Sequence, residues 1–137
     1  MATLLLDTNV MLRTDAARTH EISLAANRMV EAATVSGELA LSAITFLEIA
    51  TLAERGSVSV DAGELYQQAK EDGIRVIPLD VHMALRAGRL RKEGFTGHDP
   101  ADRMIVATAI LAGCDLITTD QEMIAWDGPL HVIDARA

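Results

Sequence analysis

The chain has 137 residues, one cysteine and a formal net charge of −8. This length predicts a single domain over residues 1–137, and the lone Cys114 excludes an internal disulfide and fits a reducing compartment. No stretch approaches the ~18 apolar residues that a membrane span requires, and no positively charged leader precedes the first strand, so we expect a cytoplasmic protein without membrane association. The acidic balance argues against nucleic-acid binding without excluding it, because binding depends on local patches.

The first half of the chain opens with a predicted buried strand over residues 3–9. Its three consecutive leucines are typical of a strand that is covered on both faces. The pattern then predicts a loop or short helix over residues 10–19, a helix over 20–34 and a second strand over 38–42. A further helix over residues 43–55 ends at Gly56.

The second half continues the alternation. We predict a helix over residues 61–72, a strand over 75–78, helices over 80–93 and 99–112, a fourth strand over 115–120 and a short edge strand over 131–133. Asp99 followed by Pro100 marks a helix start. The alternation predicts an α/β fold with a central parallel sheet of four to five strands and helices on both faces.

Four acidic residues fall at a strand's carboxyl end or in the first turns of the following helix: Asp7, Glu48, Asp102 and Asp120. The carboxyl ends of parallel strands lie along one edge of a sheet, where such folds bind ligands. Each acid also has a local explanation. Asp7 could cap a helix, Glu48 could turn to solvent from the predicted stripe it shares with Ile44, Leu47, Thr51 and Leu52, and Asp102 could interact with a helix dipole. Together they predict one acidic pocket.

A pocket of several carboxylates requires a cation, since neighbouring acids cannot all stay ionised alone. All-oxygen ligands select Mg²⁺ or Mn²⁺, and these ions commonly act on phosphate groups. Zinc is disfavoured because the four histidines are scattered and Cys114 has no partner cysteine. Thr8, Asn9, Thr45 and Thr119 lie near the acids in sequence and could orient ligands or waters, although turn and cap hydrogen bonds explain each one equally well.

The motifs Leu5-Leu6-Asp7-Thr8-Asn9, Ser42 to Glu48, Asp99 to Arg103 and Ile117 to Asp120 occur in an order that resembles a PIN domain, and more narrowly a VapC-type toxin of a bacterial toxin–antitoxin pair. The resemblance implies a PIN-like (Rossmann-like) sheet and a Mg²⁺- or Mn²⁺-dependent endoribonuclease. It implies metal ligands at Asp7, Asp102 and Asp120, with Glu48 completing the acidic cluster. Asp99 is interpreted as a helix cap first and a secondary site residue at most.

The resemblance also implies an RNA substrate, a homodimer and a small antitoxin protein that occupies or distorts the active site. Candidate RNA-binding residues are Arg13, Arg18, Arg86, Arg89, Arg91 and Arg103. The sequence has no Gly-rich phosphate loop and no G-x-S-x-G elbow, which disfavours a nucleotide-binding module and a serine hydrolase. A catalytically inactive binding protein on the same fold, whose acids cap helices or hold a structural ion, remains the alternative.

Overall fold

The computed structural model describes residues 3–14 and 21–137. Five strands form one sheet: β1 (Leu4–Leu6), β2 (Leu39–Ser42), β3 (Arg75–Ile77), β4 (Asp115–Thr118) and β5 (Val132–Asp134). They lie in the order β3-β2-β1-β4-β5, and all four neighbouring pairs are parallel. The predicted parallel sheet is therefore confirmed, at the upper end of its expected strand number.

Within the described part of the chain, seven α-helices connect the strands: α1 (Thr8–Arg13), α2 (Leu24–Ser36), α3 (Ile44–Glu54), α4 (Ala62–Glu71), α5 (Val81–Arg89), α6 (Pro100–Ala112) and α7 (Gln121–Ala125). A 3-10 helix over Leu90–Glu93 extends α5, and Gly94 ends it in the left-handed conformation at φ 93°. None of the helices among residues 3–14 and 21–137 combines the length and the apolar character needed to cross a lipid bilayer.

The sheet is covered on both faces, as the run of leucines predicted. Leu5 packs with the buried side of α6, where Ile105, Val106 and Ala109 lie. Leu4 and Leu6 point to the opposite face, where they pack in a second cluster that includes Val10 of α1 and Ala26 and Val30 of α2. Successive residues of a strand face opposite sides, so a strand between two helical layers must be apolar throughout.

The first strand is shorter than predicted. β1 ends at Leu6, and Asp7 accepts a hydrogen bond from the Thr8 backbone N–H at the start of α1. Thr8 and Asn9 therefore belong to a helix instead of a strand. The error has a local cause, because an apolar run does not show where an Asp stops extending the strand and begins to cap a helix.

Other boundaries also differ from the prediction. α2 begins at Leu24 with Ser23 as its cap, and the predicted start at His20 lies outside the described residues. β4 ends at Thr118, and Asp120 caps α7, a five-residue helix that the sequence analysis did not predict. The predicted final strand exists, one residue later, at the sheet's edge next to β4.

Candidate active site

The acidic residues gather where the direction of the chain across the sheet reverses. From β1 the chain moves outward through β2 to β3, then returns to the other side of β1 with β4 and β5. β1 and β4 are adjacent, with Leu6 opposite Ile117 in the register. Asp7 follows β1 and Asp120 follows β4, so both lie at this crevice beyond the strands' carboxyl ends. Open α/β sheets bind ligands at such a position.

Asp7 is almost completely buried, with 2% of its surface exposed. Its Oδ1 accepts a 2.8 Å hydrogen bond from the Thr8 N–H, and its Oδ2 accepts from the Asn9 amide at 3.0 Å and from the Thr118 hydroxyl at 2.7 Å. Burial raises the pKa of Asp7 and the charge of Asp120 adds to the increase, while the hydrogen bonds oppose it. The carboxyl group is thus fixed in orientation but lacks a neutralising cation among the described residues.

Glu48 is held by a short chain of hydroxyl groups. Thr8 Oγ1 donates to Glu48 Oε1 at 2.5 Å and lies 2.9 Å from Thr45 Oγ1. The single Thr8 proton is used on Glu48, so the Thr45 hydroxyl must donate to Thr8. Burial raises the pKa of Glu48, and the charges of Asp7 and Asp99 raise it further, against the lowering effect of the Thr8 hydrogen bond.

The predicted apolar stripe around Glu48 is wrong in detail. α3 buries Thr45 and Ile49, whereas Leu47 is 62% exposed. Glu48 itself is half-buried and turned toward the other acids. The helix is rotated relative to the prediction because it packs between α1, α4 and α6, which the sequence of α3 alone does not reveal.

The amino end of α6 contributes two further carboxylates. One carboxylate oxygen from each of Glu48, Asp99 and Asp102 lies within 4.8 Å of the others. Asp99 also caps α6 by accepting from the Ala101 N–H at 2.8 Å, as predicted for a helix start. Asp99 therefore lies beside Glu48 and Asp102 as well as capping the helix, and we call these three residues, with Asp7 and Asp120, the acidic group.

Asp102 is the residue that all the other acids influence. Its pKa is raised from 3.8 to about 7, first by burial and then by the charges of Asp7, Asp99, Glu48 and Asp120. Asp120 uses its Oδ1 to cap α7 by accepting from the Glu122 and Met123 N–H groups. The four acids that the sequence predicted as one pocket are thus electrostatically coupled, and Asp99 joins them.

Thr118 is a site residue that the sequence analysis missed. Its hydroxyl donates to Asp7 Oδ2 and accepts from the Asp120 N–H at 2.9 Å, so it links two of the acids directly. The predicted neighbour Thr119 contributes its backbone instead, since its N–H donates to Asn9 Oδ1 at 3.3 Å. One sequence feature could have identified Thr118: it is a hydroxyl residue at the end of a buried strand, two positions before Asp120.

The predicted RNA-binding arginines lie in varied settings. Arg13 donates to the Asn9 carbonyl at 2.7 Å and forms an ion pair with Glu21 at 3.5 Å. Four others are located as follows: Arg86 in a two-bond pair with Glu93, Arg91 beside His98, Arg103 bonded to the Gly97 carbonyl, and Arg89 exposed on α5. Arg18 lies outside the described residues. Their contacts with RNA stay a prediction.

The chemistry of the donor set suits a hard divalent ion. Among the described residues, Glu48, Asp99 and Asp102 bring carboxylate oxygens within 4.8 Å of one another, and the charges of Asp7 and Asp120 also act on Asp102. Glu48 and Asp102 cap no helix. Buried acids of like charge are stabilised when a cation replaces their protons. Oxygen ligands of this kind favour Mg²⁺ or Mn²⁺.

Comparisons with known proteins agree with this architecture. The family model described as PIN domain matches residues 4–128. The chain is 36% identical over 124 residues to the protein named Ribonuclease VapC22 of Mycobacterium tuberculosis, covering 90% of this chain and 91% of that protein.

Solved structures show the same fold at lower identity. The DNA-bound VapBC complex from Salmonella typhimurium aligns with a TM-score of 0.67 at 22% identity, over 98% of both chains. VapBC2 from Rickettsia felis, bound to a promoter DNA fragment, aligns at 0.66 and 19% identity, over 96% of this chain and 98% of that one. The family match over nearly the whole chain agrees with the ordered motifs, and the chain belongs to the PIN domain family.

Proposed function

We propose that this chain is an endoribonuclease that hydrolyses RNA phosphodiester bonds with the help of a bound divalent ion, and that it is the toxin of a toxin–antitoxin pair. The observation that carries the proposal is the position of Asp102, whose carboxylate lies within 4.8 Å of those of Glu48 and Asp99 at the sheet's switch point. The name of the 36% identical relative, a ribonuclease, supports the same reaction class.

The proposed ligands are Asp7, Glu48, Asp102 and Asp120. We add Asp99 to the proposal because its carboxylate lies within 4.8 Å of those of Glu48 and Asp102. Mg²⁺ and Mn²⁺ are the proposed ions because every available donor is a carboxylate oxygen. Such an ion, when bound, supplies Lewis acidity toward a phosphate oxygen and a more acidic water at neutral pH.

The remaining polar residues of the crevice orient these acids. Thr118 and Asn9 hold Asp7 Oδ2, and Thr8 holds Glu48 Oε1. These hydrogen bonds leave the other lone pairs of each carboxylate available, since an ionised carboxylate accepts at about four sites. Fixed carboxylates need no reorganisation when ion and substrate arrive, which is how preorganised sites lower a reaction barrier.

Partners follow from the names of the structural neighbours. Several are VapBC complexes, and one is described as a toxin–antitoxin complex from Klebsiella pneumoniae. We therefore propose a cognate antitoxin for this chain. The homodimer, the RNA substrate and the cytoplasmic location are proposed from the family resemblance alone.

A catalytically inactive PIN-fold binding protein is the competing proposal, and one observation favours it. Asp7, Asp99 and Asp120 each cap a helix, so part of the acidic content has a structural use. The cap role does not extend to Asp102, which follows Asp99 in the first turn of α6 without capping it. Asp102 is therefore the residue on which the two proposals differ most sharply.

The test compares two acids in the same helical position. Asp102 and Glu64 both lie in the first turn of a capped helix, α6 and α4, but Glu64 is exposed and outside the acidic group. The purified protein is given fluorescent single-stranded RNA with Mn²⁺, Mg²⁺ or EDTA. We expect ion-dependent cleavage that is lost in D102N and kept in E64Q, with both variants folded by circular dichroism. A wild-type protein that cuts no RNA with either ion supports the binding protein instead.

A further inference from the structure

A cavity of about 290 Å³ opens beside the acidic group, between the outer side of α3 and the start of α6. Glu48 and Asp99 form the wall that it shares with the acidic group, Leu47 and Leu52 provide apolar surface, and Arg55 lies at the far end. The cavity thus combines an acidic side, an apolar side and one cation. None of the arginines predicted to contact RNA lines it.

Arg55 is the C-cap residue that directly follows α3, and it is exposed. Its guanidinium forms no ion pair and no hydrogen bond with any residue in the described ranges 3–14 and 21–137. The charges that act on Glu48 and Asp102 are those of other carboxylates, so the Arg55 cation is not consumed in neutralising them. An arginine without an acidic partner at the edge of an acidic site is available for an anion.

We propose that Arg55 binds the RNA phosphate next to the one that is cleaved, with the intervening nucleotide lying in the cavity against Leu47 and Leu52. This inference rests on the proposed ribonuclease function and names how that site holds its substrate. Arg55 is a positioning residue, because it contacts the substrate away from the bond that breaks.

The distance along α3 separates the two phosphates. Glu48 and Arg55 are seven positions apart, which corresponds to about 10 Å along a helix axis at 1.5 Å per residue. This backbone separation leaves room for Arg55 to bind a phosphate other than the one beside Glu48. The exposed Leu47 side chain, 62% accessible, gives the base an apolar surface to cover.

Because the protein is acidic, a cation such as Arg55 is needed near the site to attract RNA. With a net charge of −8, the surface as a whole repels RNA, and the acidic group repels the phosphates nearest to it. A guanidinium can form two parallel hydrogen bonds with a phosphate, which fixes orientation as well as adding affinity. Arg55 thus holds the RNA strand in a fixed position while the acids and their ion act on the neighbouring phosphodiester bond.

The first experiment measures steady-state cleavage with Mn²⁺ for wild type, R55A, R55K and R28A. Arg28 is the matched control because it is exposed on α2, which packs on the opposite face of the sheet from α6. We expect R55A to raise KM about ten-fold with little change in kcat, as for the loss of one charge-assisted hydrogen bond. R55K recovers part of this loss, and R28A resembles wild type.

The second experiment removes the charge from the substrate. The substrate is an RNA oligonucleotide with a neutral methylphosphonate next to the cleaved bond. For the wild type, this change should lower kcat/KM by about the same factor as R55A does with unmodified RNA. For R55A, the same change should lower kcat/KM little further. Independent losses that multiply would overturn the inference, because they would show that Arg55 and that phosphate do not interact.

Binding without cleavage separates this inference from the proposed function. In EDTA, fluorescence anisotropy of labelled RNA should show that R55A reduces the salt dependence of binding by roughly 0.7 in log–log slope, the value for one single-stranded phosphate contact. A wild type that cuts RNA while R55A behaves like R28A overturns the role of Arg55 alone. A wild type that neither cuts nor binds RNA overturns the proposed function and this inference together.

Discussion

The Thr118 hydroxyl donates a 2.7 Å hydrogen bond to Asp7 Oδ2, although the two residues are 111 positions apart in the chain. The contact exists because β1 and β4 are neighbours in the sheet and both end at the same edge. Thr118 also accepts from the Asp120 N–H, so one hydroxyl group joins the acids that follow the two strands. Thr118 therefore fixes the ends of β1 and β4 relative to each other at the crevice.

Replacing Thr118 with valine should weaken both activity and stability. The shape is kept, but buried Asp7 loses a hydrogen bond and the Asp120 N–H loses its acceptor, so we expect about 1–3 kcal/mol less free energy of unfolding. Cleavage should fall by roughly ten-fold, since a misoriented carboxylate holds an ion less well. Urea unfolding and RNA cleavage measure the two effects.

Thr108→Val provides the control for this change. Thr108 is equally buried, but its hydroxyl donates to the Met104 carbonyl within its own helix. That carbonyl belongs to the helix's hydrogen-bond ladder, so its loss should cost little. If T118V and T108V have the same activity, Thr118 does not orient the site.

Thr8 should control the protonation of Glu48. Its 2.5 Å hydrogen bond stabilises the ionised carboxylate and lowers the pKa of Glu48 against the effect of burial. In Thr8→Val the pKa of Glu48 should rise further, while Thr8→Ser keeps the hydroxyl and should resemble wild type. A carboxyl-carbon NMR titration of the metal-free protein gives the answer. Equal Glu48 titration in T8V and T8S would contradict the assigned role.

Asp102 should make the metal-free protein less stable as the pH rises. Its pKa is raised from 3.8 to about 7 by burial and by the surrounding carboxylates, so the folded chain keeps a proton that the unfolded chain has released. The resulting stabilisation is complete below the unfolded pKa and is lost as the pH rises through about 7. In EDTA, Tm should therefore fall between about pH 4 and about pH 7, and D102N should flatten this decline. An unchanged profile in D102N would assign the effect to other groups.

Divalent ions should reverse this loss of stability. Ion binding to the folded state alone adds about 2.7 kcal/mol at a hundred times Kd. We expect Mn²⁺ to raise Tm of the wild type near neutral pH, and to do so less at acid pH, where protons compete for the carboxylates.

Asp99 and Asp80 form a matched pair for the same measurement. Each caps a helix through Oδ1, Asp99 for α6 and Asp80 for α5, and asparagine caps a helix about as well as aspartate. Only Asp99 lies in the acidic group. D99N should therefore reduce the Mn²⁺-induced rise in Tm, and D80N should leave it intact. Equal responses would limit Asp99 to its capping role.

The amino-acid sequence determined the sheet and the approximate position of its acids. Burial of a strand on both faces requires continuous apolar residues, and the leucines of β1 display this directly. The acids that follow the strands were visible for the same reason, since the end of an apolar run marks the end of a parallel strand. The ordered motifs then identified the family that the comparisons confirm.

Only the tertiary structure decided which side chains meet. The partnership of Thr118 with Asp7, the entry of Asp99 into the acidic group and the cavity ending at Arg55 all depend on strand register and on how α3 is rotated against α6. Register and rotation result from packing between distant segments, and hydrogen bonds are lost over shifts of less than an ångström. Local patterns show which face of an element is apolar, but they carry no information about which residue stands opposite.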